Sequence, residues 1–159
     1  NRMKIITKSF DETQALGEYF GLIVEPQTVF SLVGDHGCGK TVFVKGLAKG
    51  LKISDYSNVK SNSYIMVNNY IGKYELIHID LFKIQNFSEI DYEYFNEILI
   101  ENSIIAIEWA DKLPEDILLE NIIINFSMLN SFSRQLIISP KGVSSENYYR
   151  QIFKTWGLR

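Results

Sequence analysis

The segment Thr28 to Leu51, TVFSLVGDHGCGKTVFVKGLAKGL, leaves this chain little freedom in how it can fold. Thr28 to Val33 is a β-branched and aromatic run that ends at a glycine, as a buried strand does. From about Lys40 to Leu51, Phe43, Leu47 and Leu51 recur at four-residue spacing, which predicts a helix with one face in the core. Between them Gly34, Asp35, His36, Gly37, Cys38, Gly39, Lys40 and Thr41 satisfy G-x-x-x-x-G-K-[ST] at every fixed position. In such a loop glycines let backbone N–H groups curl around phosphate oxygens. The lysine reaches the β and γ phosphates, and the threonine hydroxyl ligates Mg²⁺. The following helix adds its positive N-terminal end. His36 and Cys38 fill variable positions, where a steric role is expected. A helix N-terminus can also lower the Cys38 thiol pKa, so that alkylation would block nucleotide binding.

The rest of the chain supplies a frame for that unit. After an apolar stretch, Lys4 to Thr7, Ser9 and Glu12 form a capping-box pair, and Ala15, Leu16, Tyr19, Phe20 and Ile23 fall on one helical face. Lys45, Lys49 and Lys52 read as the solvated side of the second helix. Past a polar linker, Ser54 to Asn62, YIMVNNY and YELIHIDLF flank IGK as a hairpin whose second arm ends near Asp80. Ser88 to Ile100 is expected to be helical. Ser103 to Trp109, SIIAIEW, is a continuous apolar run of strand length, typical of a strand covered on both faces. NIIINFSML and RQLIISP around NSFS form a closing hairpin, and SSENYYRQIFKTWGL a last helix. Strands alternating with helices predict an α/β sandwich with a mixed central sheet flanked by helices.

Phosphate chemistry also needs an acid to hold Mg²⁺ and a group to orient the attacking water. Asp80 and Glu108 each close an apolar run at a strand end, where an open α/β sheet places its ligand. Each could instead cap the next turn, and the pattern does not choose between them as the metal acid. His78 shares a strand face with Asp80 and reads as a core or supporting residue, and Trp109 as packing beside the site. No arginine lies between Met3 and Ser133, so the loop and both acidic strand ends lack a guanidinium to spread transition-state charge. An isolated ATPase of this kind should be slow, accelerated by Arg134, a lysine or a partner. A nucleotide kinase, which closes arginine-bearing segments over two substrates, fits poorly. A GTPase fits worse still, because no N-K-x-D segment is present.

The chain of 159 residues, 46% hydrophobic, can bury one sizeable core, so residues 1–159 are expected to form a single domain. Asn1 and Arg2 stand ahead of Met3 and read as a remnant before a natural start. A net charge of −3 supplies no global field toward nucleic acid or membrane. The single cysteine, no signal-like segment and no span-length apolar run point to a cytosolic protein.

Several of these segments together resemble the TsaE family, small bacterial ATPases of tRNA threonylcarbamoyladenosine synthesis. SFDETQALGEYF is similar to the family's opening S-x-x-x-T-x-x-L-G helix, and GDHGCGKTVFVKGLAKGL to its loop and helix. SNSYIMVNNY resembles its switch segment, HIDLFK its H-x-D-L-Y-R strand end, and IEWAD its I-E-W-x-E strand end. The resemblance implies that Lys40 and Thr41 bind ATP and Mg²⁺, with Asp80 in the metal shell and Glu108 on Mg²⁺ or the attacking water. It places Ser63 in a γ-phosphate-sensing switch, Thr13 near the nucleotide and Trp109 beside the site. It also implies TsaD and TsaB as partners. The charge balance adds the expectation of indirect contact with tRNA and none with membrane, and a monomer is expected when alone. Five residues depart from the pattern. Asn62, Ser63 and Tyr64 replace Pro, Thr and Phe of the switch, which keeps a hydroxyl but loses the rigid turn. Lys83 replaces an arginine, keeping charge without the bidentate fork, and Cys38 replaces an alanine. Two alternatives are a nucleotide-binding interaction module with incidental hydrolysis and a small-substrate kinase.

Overall fold

The computed structural model describes residues 2–56, 66–99 and 102–156. The run after Thr28 does form a strand, β2 (Val29–Val33), and the periodic segment after the loop forms helix α2 (Lys40–Gly50). Ahead of them lie β1 (Met3–Thr7) and α1 (Phe10–Ile23). The Ser9 hydroxyl accepts from the Glu12 amide at 3.1 Å, which satisfies one of the free donors at the start of α1. The reciprocal half of the capping box is displaced, because the Glu12 carboxylate accepts from the amide of Lys8 instead of Ser9.

The remaining elements are β3 (Met66–Ile71), β4 (Glu75–Asp80), α3 (Glu89–Leu99), β5 (Ser103–Glu108), β6 (Asn121–Met128), β7 (Arg134–Lys141) and α4 (Val143–Trp156). All seven strands join one sheet in the order β1-β7-β6-β2-β5-β4-β3. Its centre, β6-β2-β5-β4, is parallel, and the predicted hairpins add antiparallel strands at both sides. The chain is therefore an α/β protein with a mixed sheet, as its sequence predicts.

Alternation along the strands divides the core between the two faces of this sheet. Phe30, Leu32, Ile104, Ala106, Ile122 and Ile124 meet α1, α2 and α4, whereas Val29, Ile77, Ile79, Ile105 and Ile107 meet α3 and the segment around Leu113. The register pairs Leu32 and Asp80 with Glu108, so both acids end adjacent parallel strands. By the same alternation His78, Asp80 and Glu108 project to the face that carries α2. All six residues of β5 are buried, as a strand covered on both faces requires.

One expectation for α1 fails. Ala15 is exposed, and the buried stripe runs through Thr13, Leu16, Gly17, Phe20 and Gly21. The helix packs on α2 through glycines, which a reading based on hydrophobicity passes over. A methyl group built on Gly46 would lie 2.1 Å from the Gln14 carbonyl oxygen, and one on Gly17 2.3 Å from that of Phe43. The two backbones are thus nearly in contact.

Candidate functional site

The loop Gly34 to Thr41 leaves the end of β2 between the sheet and α1. Gly34 has φ +148°, and a Cβ there would sit 2.7 Å from the Phe126 carbonyl oxygen, so no side chain fits. Gly37 has φ +74°, but a Cβ there would meet nothing within 4 Å. The inner wall of the loop is therefore crowded and its crown open. Gly39, the N-cap of α2, offers no side-chain acceptor, and the first turn of the helix holds no acid. The leading amides of α2 are left for an anion to satisfy.

Around the crown lies a cleft of about 260 Å³, whose lining includes Phe10, His36, Lys40, Thr41, Glu108 and Trp109. The Lys40 ammonium is folded into its own loop, donating to the carbonyls of Gly34 and Asp35. It also lies 4.3 Å from the centre of the Trp109 ring. The Thr41 hydroxyl donates to both oxygens of Glu108, at 3.0 and 3.2 Å. His78 Nε2 stands 2.5 Å from Glu108 Oε2 with both side chains buried. A carboxylate accepts only, so Nε2 carries the proton of this bond, while Nδ1 is buried without a partner. His78 thus fixes the carboxylate that faces Thr41.

Asp80 is 2% exposed, and its Oδ1 accepts from the Phe82 amide at 3.0 Å. It caps the turn that follows β4 while standing beside Glu108 in register. Trp109 adopts a left-handed φ of 59°, unusual for a bulky residue, which turns its ring back over Lys40. His36 packs edge-on to Phe82 at 4.2 Å and to Trp109 at 5.3 Å, so it does fill space at the rim. Thr13 is wholly buried behind the loop, where its hydroxyl bonds that of Thr7 at 2.7 Å and its methyl group faces Gly39. It does not line the cleft. Lys83 is exposed, and Ser63 lies outside the described residues.

The expected activation of Cys38 is not found. The thiol is 3% exposed, and burial pushes its pKa up, outweighing the attraction of the Lys40 ammonium. One contributor has no signal in the sequence: Phe10 follows the N-cap of α1 with no pattern to mark it, and forms one wall. Arg134, a candidate from the sequence for accelerating turnover, reaches the back of the loop and donates to the Gly37 carbonyl at 2.9 Å.

The donor set suits a magnesium phosphate. The Thr41 hydroxyl and the carboxylates of Glu108 and Asp80 are hard oxygens, and the open crown at Gly37 with the leading helix amides could receive a phosphate. Among the described residues no three His, Cys, Asp or Glu side chains gather into a metal cage. Mg²⁺ bound beside a nucleotide needs none, because waters and phosphate oxygens complete its shell.

Known proteins share this arrangement of sequence and fold. A family model described as threonylcarbamoyl adenosine biosynthesis protein TsaE matches residues 7–136. The tRNA threonylcarbamoyladenosine biosynthesis protein TsaE of Aquifex aeolicus is 40% identical over 119 residues, covering 74% of this chain and 84% of that one. Its namesake from Bacillus subtilis is 29% identical over 145 residues, covering 89% and 87%. The crystal structure of Bacillus subtilis YdiB superimposes with a TM-score of 0.79 at 22% identity over 98% of this chain, a likeness of fold. With the family model spanning the loop, both acidic strand ends and Arg134, the chain belongs to the TsaE family.

Proposed function

We propose that this chain binds ATP with Mg²⁺, hydrolyses it slowly by itself, and thereby serves tRNA threonylcarbamoyladenosine synthesis by acting on a TsaD–TsaB complex. The observation that carries the nucleotide part is the convergence of Lys40, Thr41 and a His78-anchored Glu108 on an open glycine loop. Family membership carries the pathway part.

When bound, the magnesium triphosphate supplies the electrophilic phosphorus and the cation that spreads charge over its oxygens. The chain supplies position and field. Amides of the loop and of the first turn of α2 orient the phosphates, and the Lys40 ammonium exchanges its carbonyl partners for phosphate oxygens. The Thr41 hydroxyl oxygen would help hold the cation, and Glu108, fixed by His78, would hold the cation or orient the attacking water. Asp80, tied to the turn after β4, serves the same space from the neighbouring strand. Phe10 and Trp109 narrow the cleft against bulk water. Among the described residues the guanidinium nearest the loop, Arg134, points at main-chain carbonyls behind it, in keeping with slow turnover until a partner contributes.

Steady-state ATP hydrolysis, measured on this protein alone and with purified TsaD–TsaB, tests the proposal. Turnover that is barely detectable alone and rises strongly on mixing is expected. Glu108→Gln should keep MgATP binding and lose both hydrolysis and support of tRNA modification. If that variant supports modification as well as the wild type, hydrolysis is incidental and the chain is a nucleotide-binding interaction module.

A further inference from the structure

Arg134 is among the most deeply buried residues of the protein, 1% exposed, yet it carries a full charge. Its Nη1 donates to the carbonyls of Asn130 (2.8 Å) and Ser133 (3.1 Å) at the tip of the β6–β7 hairpin, and its Nη2 to the Gly37 carbonyl. The ring of Phe10 covers it, 5.1 Å from Cζ. Among the described residues no carboxylate pairs with it. Its Nε–H is buried without a partner, and this atom lies 3.9 Å from where a Cβ on Gly39 would stand. A buried cation lacking a counter-charge is costly, and this one is held directly behind the cradle where a phosphate would bring negative charge.

The bond to Gly37 has a geometric consequence. The carbonyl of Gly37 and the N–H of Cys38 belong to one peptide unit, and in a trans peptide they point in opposite directions. No cis bond occurs among the described residues. Drawing the carbonyl outward to Arg134 therefore turns the Cys38 amide into the loop, where it makes only a long bond, 3.3 Å, to the Asp35 carbonyl.

We propose that Arg134 is a positioning residue for the nucleotide: anchored on the β6–β7 hairpin, it holds the Gly37–Cys38 peptide with its amide toward the phosphate site and supplies the charge that the phosphate neutralises. This rests on the nucleotide-binding reading above and goes beyond it, since Arg134 lies outside the G-x-x-x-x-G-K-[ST] motif and does not line the cleft.

The test is titration of a fluorescent ADP analogue with Mg²⁺ into the full chain, wild type and Arg134→Ala. The Arg134→Ala titration is repeated with added guanidinium ion and with added urea at the same low concentration. The wild type binds, Arg134→Ala binds about tenfold or more weakly, and guanidinium restores affinity where urea, of like shape and no charge, does not. Affinity unchanged in Arg134→Ala, or equal restoration by urea, overturns the proposal. Failure of the wild type to bind overturns the nucleotide reading and takes this proposal with it. Should Arg134→Ala lack a cooperative thermal transition, the Arg134 Nε–H resonance of the wild type decides. A shift on addition of MgADP supports the role, and an unmoved resonance overturns it.

Discussion

At the residue scale, the glycines of the loop separate two demands. Gly34→Ala drives a methyl group into the Phe126 carbonyl and should cost about 2–3 kcal/mol of stability. Gly37→Ala meets no atom and should cost only about 1 kcal/mol, the strain of a left-handed φ. Its methyl group would still occupy the crown of the cradle. Urea unfolding beside MgADP titration checks both, with fold loss expected at Gly34 and binding loss in a folded protein at Gly37. Burial of the Cys38 thiol, with its raised pKa, keeps it protonated at neutral pH. Its alkylation should be far slower than that of an exposed cysteine and should match the rate of global unfolding, measured with iodoacetamide across urea concentrations. His78→Ala removes the donor from a buried carboxylate and should cost about 2 kcal/mol.

At the scale of elements, the contact between α1 and α2 decides how firmly the loop is mounted. Gly→Ala on an exposed helix face gains up to about 1 kcal/mol. At Gly46 the sign should reverse, because the methyl group would press on the backbone of Gln14 and Glu18. Gly46→Ala should lose about 2–3 kcal/mol in denaturant unfolding. The start of α4 is capped from afar by Glu120, whose carboxylate accepts from the amides of Ser144 and Ser145. Burial pushes its pKa up, but these bonds together outweigh it and hold it below the usual carboxylate value. The lowered folded pKa means that its stabilisation is present above the unfolded pKa and disappears as pH falls through the folded one. For so exposed a group it amounts to no more than about 0.5 kcal/mol. Glu120→Gln should therefore lower the thermal midpoint slightly at pH 7 and leave it unchanged well below the carboxylate range.

Across the whole molecule, the site is assembled from distant parts of the chain: the loop after β2, the ends of β4 and β5, the start of α1, and Arg134 at the start of β7. A ligand held in a site built from all of these should stabilise the entire fold. At 100 times its Kd, MgADP should add about 2.7 kcal/mol. A rise in thermal midpoint by several degrees, absent in Lys40→Ala, is the expected result. The described residues contain no helix long and apolar enough to cross a membrane. How much of this was legible beforehand follows the range of the interactions. Ser9 capping α1, the Phe43, Leu47 and Leu51 stripe, the two hairpins and the buried run of β5 depend on neighbours a few positions away, and the sequence predicts them. Ala15 is placed wrongly because the partner face of α1 is made of glycines on another helix.

By itself the sequence determined the elements, the mixed α/β architecture and the loop motif, because local spacing and turn chemistry act over a few residues. Tertiary structure decided which groups share a site. Strand register sets Asp80 beside Glu108 and gives Glu108 to His78 and Thr41. The return of β7 brings Arg134 against Gly37 across 97 positions, and burial turns Cys38 from an expected reactive thiol into an inert one. These are contacts between residues far apart in the chain, fixed by the pairing of strands and the exclusion of water, and no local pattern encodes them.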